Sequence, residues 1–235
     1  ECVEAPGPRP MRTVHVTTHR VTHPGRLLEL DCRTGWIGES PKPAAESASG
    51  FLIGAGASDL DWRAATLVHQ SKGKDGGWFV GVNTHGPFIR ANFDSPRYSD
   101  ARQGQFRVQD VPWSDLRLEV RVLPDRDDRM RITVGVTDAE GATIGTVSRG
   151  DIDPASVLGA LAVVCEPGVK NSGADRTFFR SVAGRGPALS QDMSRMIGPI
   201  VSTQFTVSRG VLKLTAQLMP IGVADERSAQ LVLEP

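Results

Sequence analysis

Along most of this chain apolar residues recur at every second position, and helical spacing is nearly absent. Leu116–Val122 is the clearest run: Leu116, Leu118, Val120 and Val122 alternate with Arg117, Glu119 and Arg121. A strand with one buried and one solvated face requires that alternation, because successive side chains point to opposite sides of a sheet. Strand-like runs also fall at Arg12–Val21, Arg26–Cys32, Phe51–Ile53, Thr66–His69, Trp78–Asn83, Phe88–Phe93, Met130–Val136 and Thr143–Val147. Turn residues separate them at Pro24-Gly25, Asp75-Gly76-Gly77, His85-Gly86-Pro87, Asp125–Arg129 and Asp138–Gly141. Glycines in such turns supply the positive φ that tight hairpins need. Ala160–Cys165 is apolar throughout, which predicts a central strand buried on both faces, with Arg176–Val182 as its neighbour. Helical spacing is confined to Asp153–Leu158, where Asp153 can cap a single turn begun by Pro154. The pattern predicts an all-β chain built as an antiparallel β-sandwich.

Three regions follow from the same reading. Residues 1–11, with Pro6, Pro8 and Pro10, form an extended N-terminal arm. Residues 12–190 hold the sandwich domain. Residues 191–235 read as a linker and the first strands of an incomplete second β module. There Val211–Gln217 and Gln230–Leu233 alternate like strands, and two short strands make no independent domain.

Composition narrows the function classes. Hydrophobic residues make up 39% of the 235, enough for a packed core, yet no apolar run approaches the roughly 20 residues that cross a bilayer. No membrane span is expected. Basic and acidic residues balance at 27 each, and the arginines of Arg117–Arg131 interleave with Glu119, Asp125, Asp127 and Asp128. Nucleic-acid binders carry a basic excess or stripe, so no nucleic-acid partner is expected. Cys2, Cys32 and Cys165 form no Cys-x-x-Cys pair. Cys165, inside an apolar run, reads as a buried thiol, and a Cys2–Cys32 disulfide is open to an exported protein. The chain begins with Glu1 rather than Met and no signal segment follows, so its start is expected either after processing or at an artificial boundary. The sequence leaves the compartment open, with an extracellular or periplasmic one favoured.

Catalytic patterns are missing. His15, His19 and His23 recur every four residues, but in a strand such positions lie about 13 Å apart, too far for one metal ion. The paired acids of a sandwich glycosidase, Glu-x-Asp-x-Glu, do not occur, nor does Gly-x-Ser-x-Gly. Gly54-Ala55-Gly56 lacks the third glycine and the helix of a dinucleotide loop. Asp59/Asp61 and Asp125–Asp128 are acidic turns of a kind that suits calcium, and equally of a kind that is simply solvated. No catalytic residue, metal ligand or cofactor is assigned to the chain. The segment Asp75–Asp94 does concentrate aromatic, amide, imidazole and guanidinium groups, the set that sugar recognition uses. Trp78, Asn83, His85 and Arg90 are the ligand-binding candidates. The plain alternative is a hairpin with Phe79 and Phe88 inside and its polar groups outside.

Several phrases together resemble a known family. They are Gly50–Gly56 (GFLIGAG), Asp61–His69 (DWRAATLVH), the Gly-Gly hairpin Gly76–Gly81, Leu161–Cys165 with Phe178-Phe179, and Gly198-Pro199-Ile200 through Leu212–Gln217. The set is similar to the N-terminal region of bacterial alkaline-phosphatase-D-type metallophosphoesterases, over roughly Arg12 to Leu233. The resemblance implies a concanavalin A/laminin-G-like sandwich (a jelly roll) with a short C-terminal strand extension, the start of a fibronectin-III-like module. It implies a non-catalytic accessory domain that packs on a catalytic phosphoesterase domain or chain, or positions its substrate. Metal ions are then expected only in that separate domain, since the family's Asp/His/Asn cluster has no match here. Two other functions stay open: a carbohydrate-binding, lectin-like module, and a sandwich-fold polysaccharide-active enzyme, such as a lyase using His, Tyr and Arg, whose tyrosine base would have to be Tyr98, the single tyrosine.

Overall fold

The computed structural model describes residues 2–4, 12–37, 47–57, 76–91, 113–166, 176–196, 200–218, 228 and 230–232. Two compact units emerge, Glu1–Asp192 and Met193–Pro235. The first is an antiparallel β-sandwich. Its strands are β1 (Cys2–Glu4), β2 (Arg12–Val21), β3 (Leu28–Ile37), β4 (Ala48–Gly56), β5 (Trp78–Asn83), β6 (Gly86–Ala91), β7 (Leu116–Pro124), β8 (Met130–Thr137), β9 (Thr143–Ile152), β10 (Gly159–Glu166), β11 (Arg176–Arg185) and β12 (Leu189–Gln191). One six-stranded sheet runs β1-β11-β3-β7-β8-β9 and the other β12-β2-β10-β4-β5-β6.

The core lies between the sheets and is set by the period of two. From the first sheet Leu118, Val120, Val122, Ile132, Val134 and Val136 point inward, and from the second Phe51, Ile53, Val80, Val82 and Ile89, all buried. Each such side chain contributes about 1.5–3 kcal/mol of burial. Between them Arg117, Glu119, Arg121 and Arg131 face solvent, as the alternation predicts.

The second sheet is apolar on its other face as well. Leu52, Phe79, Phe88, Ala160, Ala162 and Val164 form a second buried cluster there, with Phe79 and Phe88 edge to face at 4.9 Å between centroids. This is why β10 is apolar from Gly159 to Cys165: it is the strand between β2 and β4, buried on both sides. Arg176–Val182, by contrast, is not its neighbour. Those residues belong to β11, which pairs with β1 and β3 in the opposite sheet. A short connection can cross from sheet to sheet as readily as return beside its own strand, and an apolar run does not say which.

The expected capped turn is a 3-10 turn, Pro154–Val157, where the carboxylate of Asp153 accepts from the Ala155 amide at 2.9 Å. The turn ties the sandwich edge together, because Ser156 Oγ donates to the Asp153 carbonyl and accepts from Trp78 Nε1 at 2.8 Å. Thr66–His69, Asp59/Asp61 and Tyr98 lie outside the described residues. No helix among the described residues is long and apolar enough to cross a membrane.

The second unit contains a hairpin of β13 (Ile200–Ser208) and β14 (Val211–Leu218). Phe205 stands opposite Leu214 and Val207 opposite Leu212, so one face is apolar, while the other carries the pairs Gln204–Thr215 and Thr206–Lys213. All four apolar residues are exposed, Phe205 by 68%. Gln230, Leu231 and Val232 are described but form no strand, contrary to the expectation from their alternation. An isolated apolar–polar alternation specifies a strand only where a neighbour is available to pair with it.

Candidate functional site

The four candidate residues of the β5–β6 hairpin do not converge. Trp78 is on the inner face, packed against the sandwich core, with its Nε1 bonded to Ser156 and the Arg149 guanidinium 4.9 Å from its ring. Asn83 is buried at the end of β5, where its Oδ1 accepts from the His85 amide at 2.8 Å and holds the turn. His85 is exposed at the tip of that turn. Arg90 is on the opposite face from Trp78 and is 4% exposed, with its guanidinium 4.8 Å from the Phe79 ring and 5.5 Å from the Phe88 ring. It is ion-paired with Glu166 at the end of β10. The hairpin thus uses Phe79, Phe88 and Arg90 to pack the outer cluster of the second sheet and Trp78 to pack the core between the sheets.

The histidines are likewise dispersed. His15 and His19 are on β2 and His23 follows in the turn, and among the described residues no three His, Cys, Asp or Glu are grouped to hold a metal ion. The acidic turn Asp125–Asp128 is held by its own ion pairs, Asp125 with Arg131 at 2.8 Å and Arg129 with Asp151 at 2.8 Å. Cys32 is a free thiol buried in the core, so no Cys2–Cys32 disulfide forms. The registers explain this: β11 separates β1 from β3, and Cys2 pairs with Phe178, which pairs with Gly35 of β3, out of line with Cys32. Burial, and then the adjacent Asp31 carboxylate, pushes the Cys32 thiol far above its ordinary range.

A cleft that the sequence reading did not single out lies on the open face of the first sheet. It has a volume of about 400 Å³ and is lined by Asp31 and Arg33 of β3, Arg117 of β7, Ser181 of β11, and Asp138 and Glu140 of the β8–β9 turn. The sheet positions follow from register. Arg180, Arg33 and Arg117 are aligned across β11, β3 and β7, and the next row on that face holds Asp31 beside Glu119. These rows are knitted by ion pairs: Arg33–Asp115 at 3.0 Å, Arg117–Glu119 at 2.9 Å and Arg185–Asp31 at 3.1 Å. The rim is rigid, because Asp138 Oδ1 accepts from the amides of Glu140 at 3.1 Å and Ala142 at 2.7 Å. Chemically the cleft offers fixed carboxylate acceptors and planar guanidinium donors side by side. Its floor acid Asp31 is tied to Arg185, and its rim acid Asp138 is tied to backbone amides.

In sequence these residues look like any solvated strand face. The available signal was that Asp31, Arg33 and Arg117 become neighbours once β3 and β7 are paired, which needs the register and not just the period.

No family model matches the chain, and no curated protein matches it. Among solved structures it is similar to the metal-free form of lectin I-B4 from Griffonia simplicifolia, at 11% identity and a TM-score of 0.48, over 75% of this chain and 80% of that one. It is similar to a lectin from Bauhinia forficata in complex with GalNAc, at 14% identity and a TM-score of 0.43, over 75% and 80%. An alginate lyase in complex with an alginate trisaccharide aligns at 13% identity and a TM-score of 0.39, over 74% of each chain. Likenesses of this size assign no ligand and no reaction to this chain.

Proposed function

We propose that this chain is a non-catalytic binding module that takes a carbohydrate in the cleft over Asp31, Arg33 and Arg117. The supporting observation is the cleft itself, with acids and arginines interleaved at its floor and a hydrogen-bonded rim at Asp138 and Glu140. Vicinal hydroxyls both donate and accept, and a carboxylate beside a guanidinium satisfies both at once. A glycan array followed by calorimetry on the full chain tests the reading. Arg117→Ala and Glu140→Ala are expected to weaken the selected glycan at least about tenfold, roughly 1.4 kcal/mol each. No binding to any glycan, or unchanged affinity in both variants, sinks it.

A second reading is favoured by the β13–β14 hairpin: an accessory domain that packs on a metallophosphoesterase catalytic domain. The apolar pairs Phe205–Leu214 and Val207–Leu212 are uncovered, and an exposed apolar sheet face is a surface suited to another polypeptide. The resemblance of Gly50–Gly56, Leu161–Cys165 and Leu212–Gln217 to alkaline-phosphatase-D-type proteins supplies the identity of that partner. Sedimentation of the chain mixed with such a catalytic domain is the test. A complex abolished by Phe205→Ser with Leu214→Ser supports it, and two separate species count against it.

A further inference from the structure

A second cavity opens at the edge of the sandwich, between the two sheets. It has a volume of about 230 Å³, and its floor is Leu30, Phe51 and Leu161, with Val16, Val182 and Leu189 along the sides. His19 is the one polar side chain among the described residues that line it. Close packing normally fills the space between sheets, and here two irregularities keep it open.

The first is in β2. His15 pairs with Ala162 and Arg20 with Ala160, so Val16, Thr17, Thr18 and His19 all stand opposite the single residue Leu161. In a regular strand Val16 and His19, three positions apart, face opposite ways; the bulge brings both to the cavity. The second is in β11, where Ser181 and Val182 together oppose Cys32, with Ser181 at φ 51°. That bulge turns Val182 out to the rim, where it is 44% exposed. Below it Gly184 has no side chain, and a Cβ there meets Leu30 and Leu189 methyls at 3.2 and 3.3 Å. Bulges facing each other across an opening are a means of shaping a site.

We infer that this slot binds the hydrocarbon end of a short-chain amphiphile, with its polar head held at the mouth beside His19. The lining excludes a sugar or an ion, since its interior offers no partner for a polar group. Its volume exceeds the roughly 150 Å³ of an apolar cavity that takes up benzene, which leaves room for a chain of several methylenes. Thr18 Oγ1 lies 2.8 Å from His19 Nδ1, so that ring nitrogen is engaged and Nε2 is left for the head group.

Octanoate is the probe, titrated into the full chain while the methyl resonances of Leu30, Leu161, Val182 and Leu189 are followed by NMR. Saturable shifts at these methyls are expected, weakened at least about tenfold in Gly184→Leu, which fills the slot. Leu189→Phe is the second filling variant, and unchanged thermal unfolding identifies which of the two remains folded. Absence of a saturable shift up to about 10 mM, or wild-type affinity in a folded filling variant, overturns the proposal. Indole binding more tightly than octanoate overturns the assignment to a chain.

Discussion

Cys165 Sγ and Thr177 Oγ1 meet 3.1 Å apart in the sandwich interior, one from each sheet. Thr34 Oγ1 and Ser49 Oγ cross the same gap at 3.3 Å. All four residues are buried, so at this end the two sheets are joined through polar contacts within an otherwise apolar core. A buried hydroxyl needs a partner, and here each finds one on the facing sheet.

Thr177→Val removes the hydroxyl with little change of shape and leaves only a weakly polar thiol behind. It is expected to cost no more than about 1 kcal/mol in urea unfolding. Cys165→Leu adds bulk to the same contact and is expected to cost about 1–3 kcal/mol through overpacking. Equal losses from both would mean that the contact is held by its hydrogen bond rather than by its packing.

Stability should fall at alkaline pH because of Cys32. Its thiol is raised in the folded chain by burial and by Asp31, whereas in the unfolded chain it titrates near its ordinary 9.0. Above that pH the unfolded state releases a proton that the folded state keeps. The stabilising difference is therefore complete below pH 9.0 and is lost as pH rises beyond it. The limiting slope is about 1.4 kcal/mol per pH unit. Denaturation at pH 8 to 11 should show that slope in the wild type and a shallower one in Cys32→Ala.

Arg90 and Glu166 carry a larger load. Glu166→Ala leaves the guanidinium buried between Phe79 and Phe88 without its counter-charge, an arrangement expected to cost about 3–5 kcal/mol. Replacing both partners, Arg90→Met with Glu166→Leu, should recover much of that loss. A double variant no more stable than Glu166→Ala would contradict this account.

Gly50 and Gly81 face each other across β4 and β5. A Cβ on Gly50 falls 2.0 Å from the Val80 carbonyl oxygen, and one on Gly81 falls 2.1 Å from that of Ser49. Either change to Ala must move backbone in the middle of a sheet. Each is expected to lower the unfolding free energy by more than about 3 kcal/mol or to abolish soluble expression, while Gly135→Ala, where a Cβ meets nothing nearer than Thr146 Oγ1 at 3.9 Å, is expected to have a much smaller effect.

Much of the sandwich was legible because its faces differ. β7 and β8 alternate since one side is core and the other water, and β10 is apolar up to Cys165 since both its sides are covered. The choice of sheet for β11 was not legible, because an apolar run carries no address. Nor was the β2 bulge, because Val, Thr and His at positions 14–19 suit a strand with or without it. For the candidate site, the period of two already separated two of its members: Trp78 and Asn83 are five positions apart on one strand and so face opposite ways. The charged cleft needed long-range register, which brings Arg33 of β3 beside Arg117 of β7 across more than eighty residues.

The position of β10 has a kinetic consequence. This strand, Gly159–Glu166, is inserted between β2 and β4, whose residues are made more than a hundred positions earlier. During synthesis, β4, β5 and β6 can assemble as a meander, but β4 keeps a bare apolar edge until its late partner emerges. Closing such long loops slows folding, and an open edge in the meantime invites pairing between chains. Refolding yield should therefore depend on protein concentration, even for a chain whose finished sheet has β4 fully enclosed.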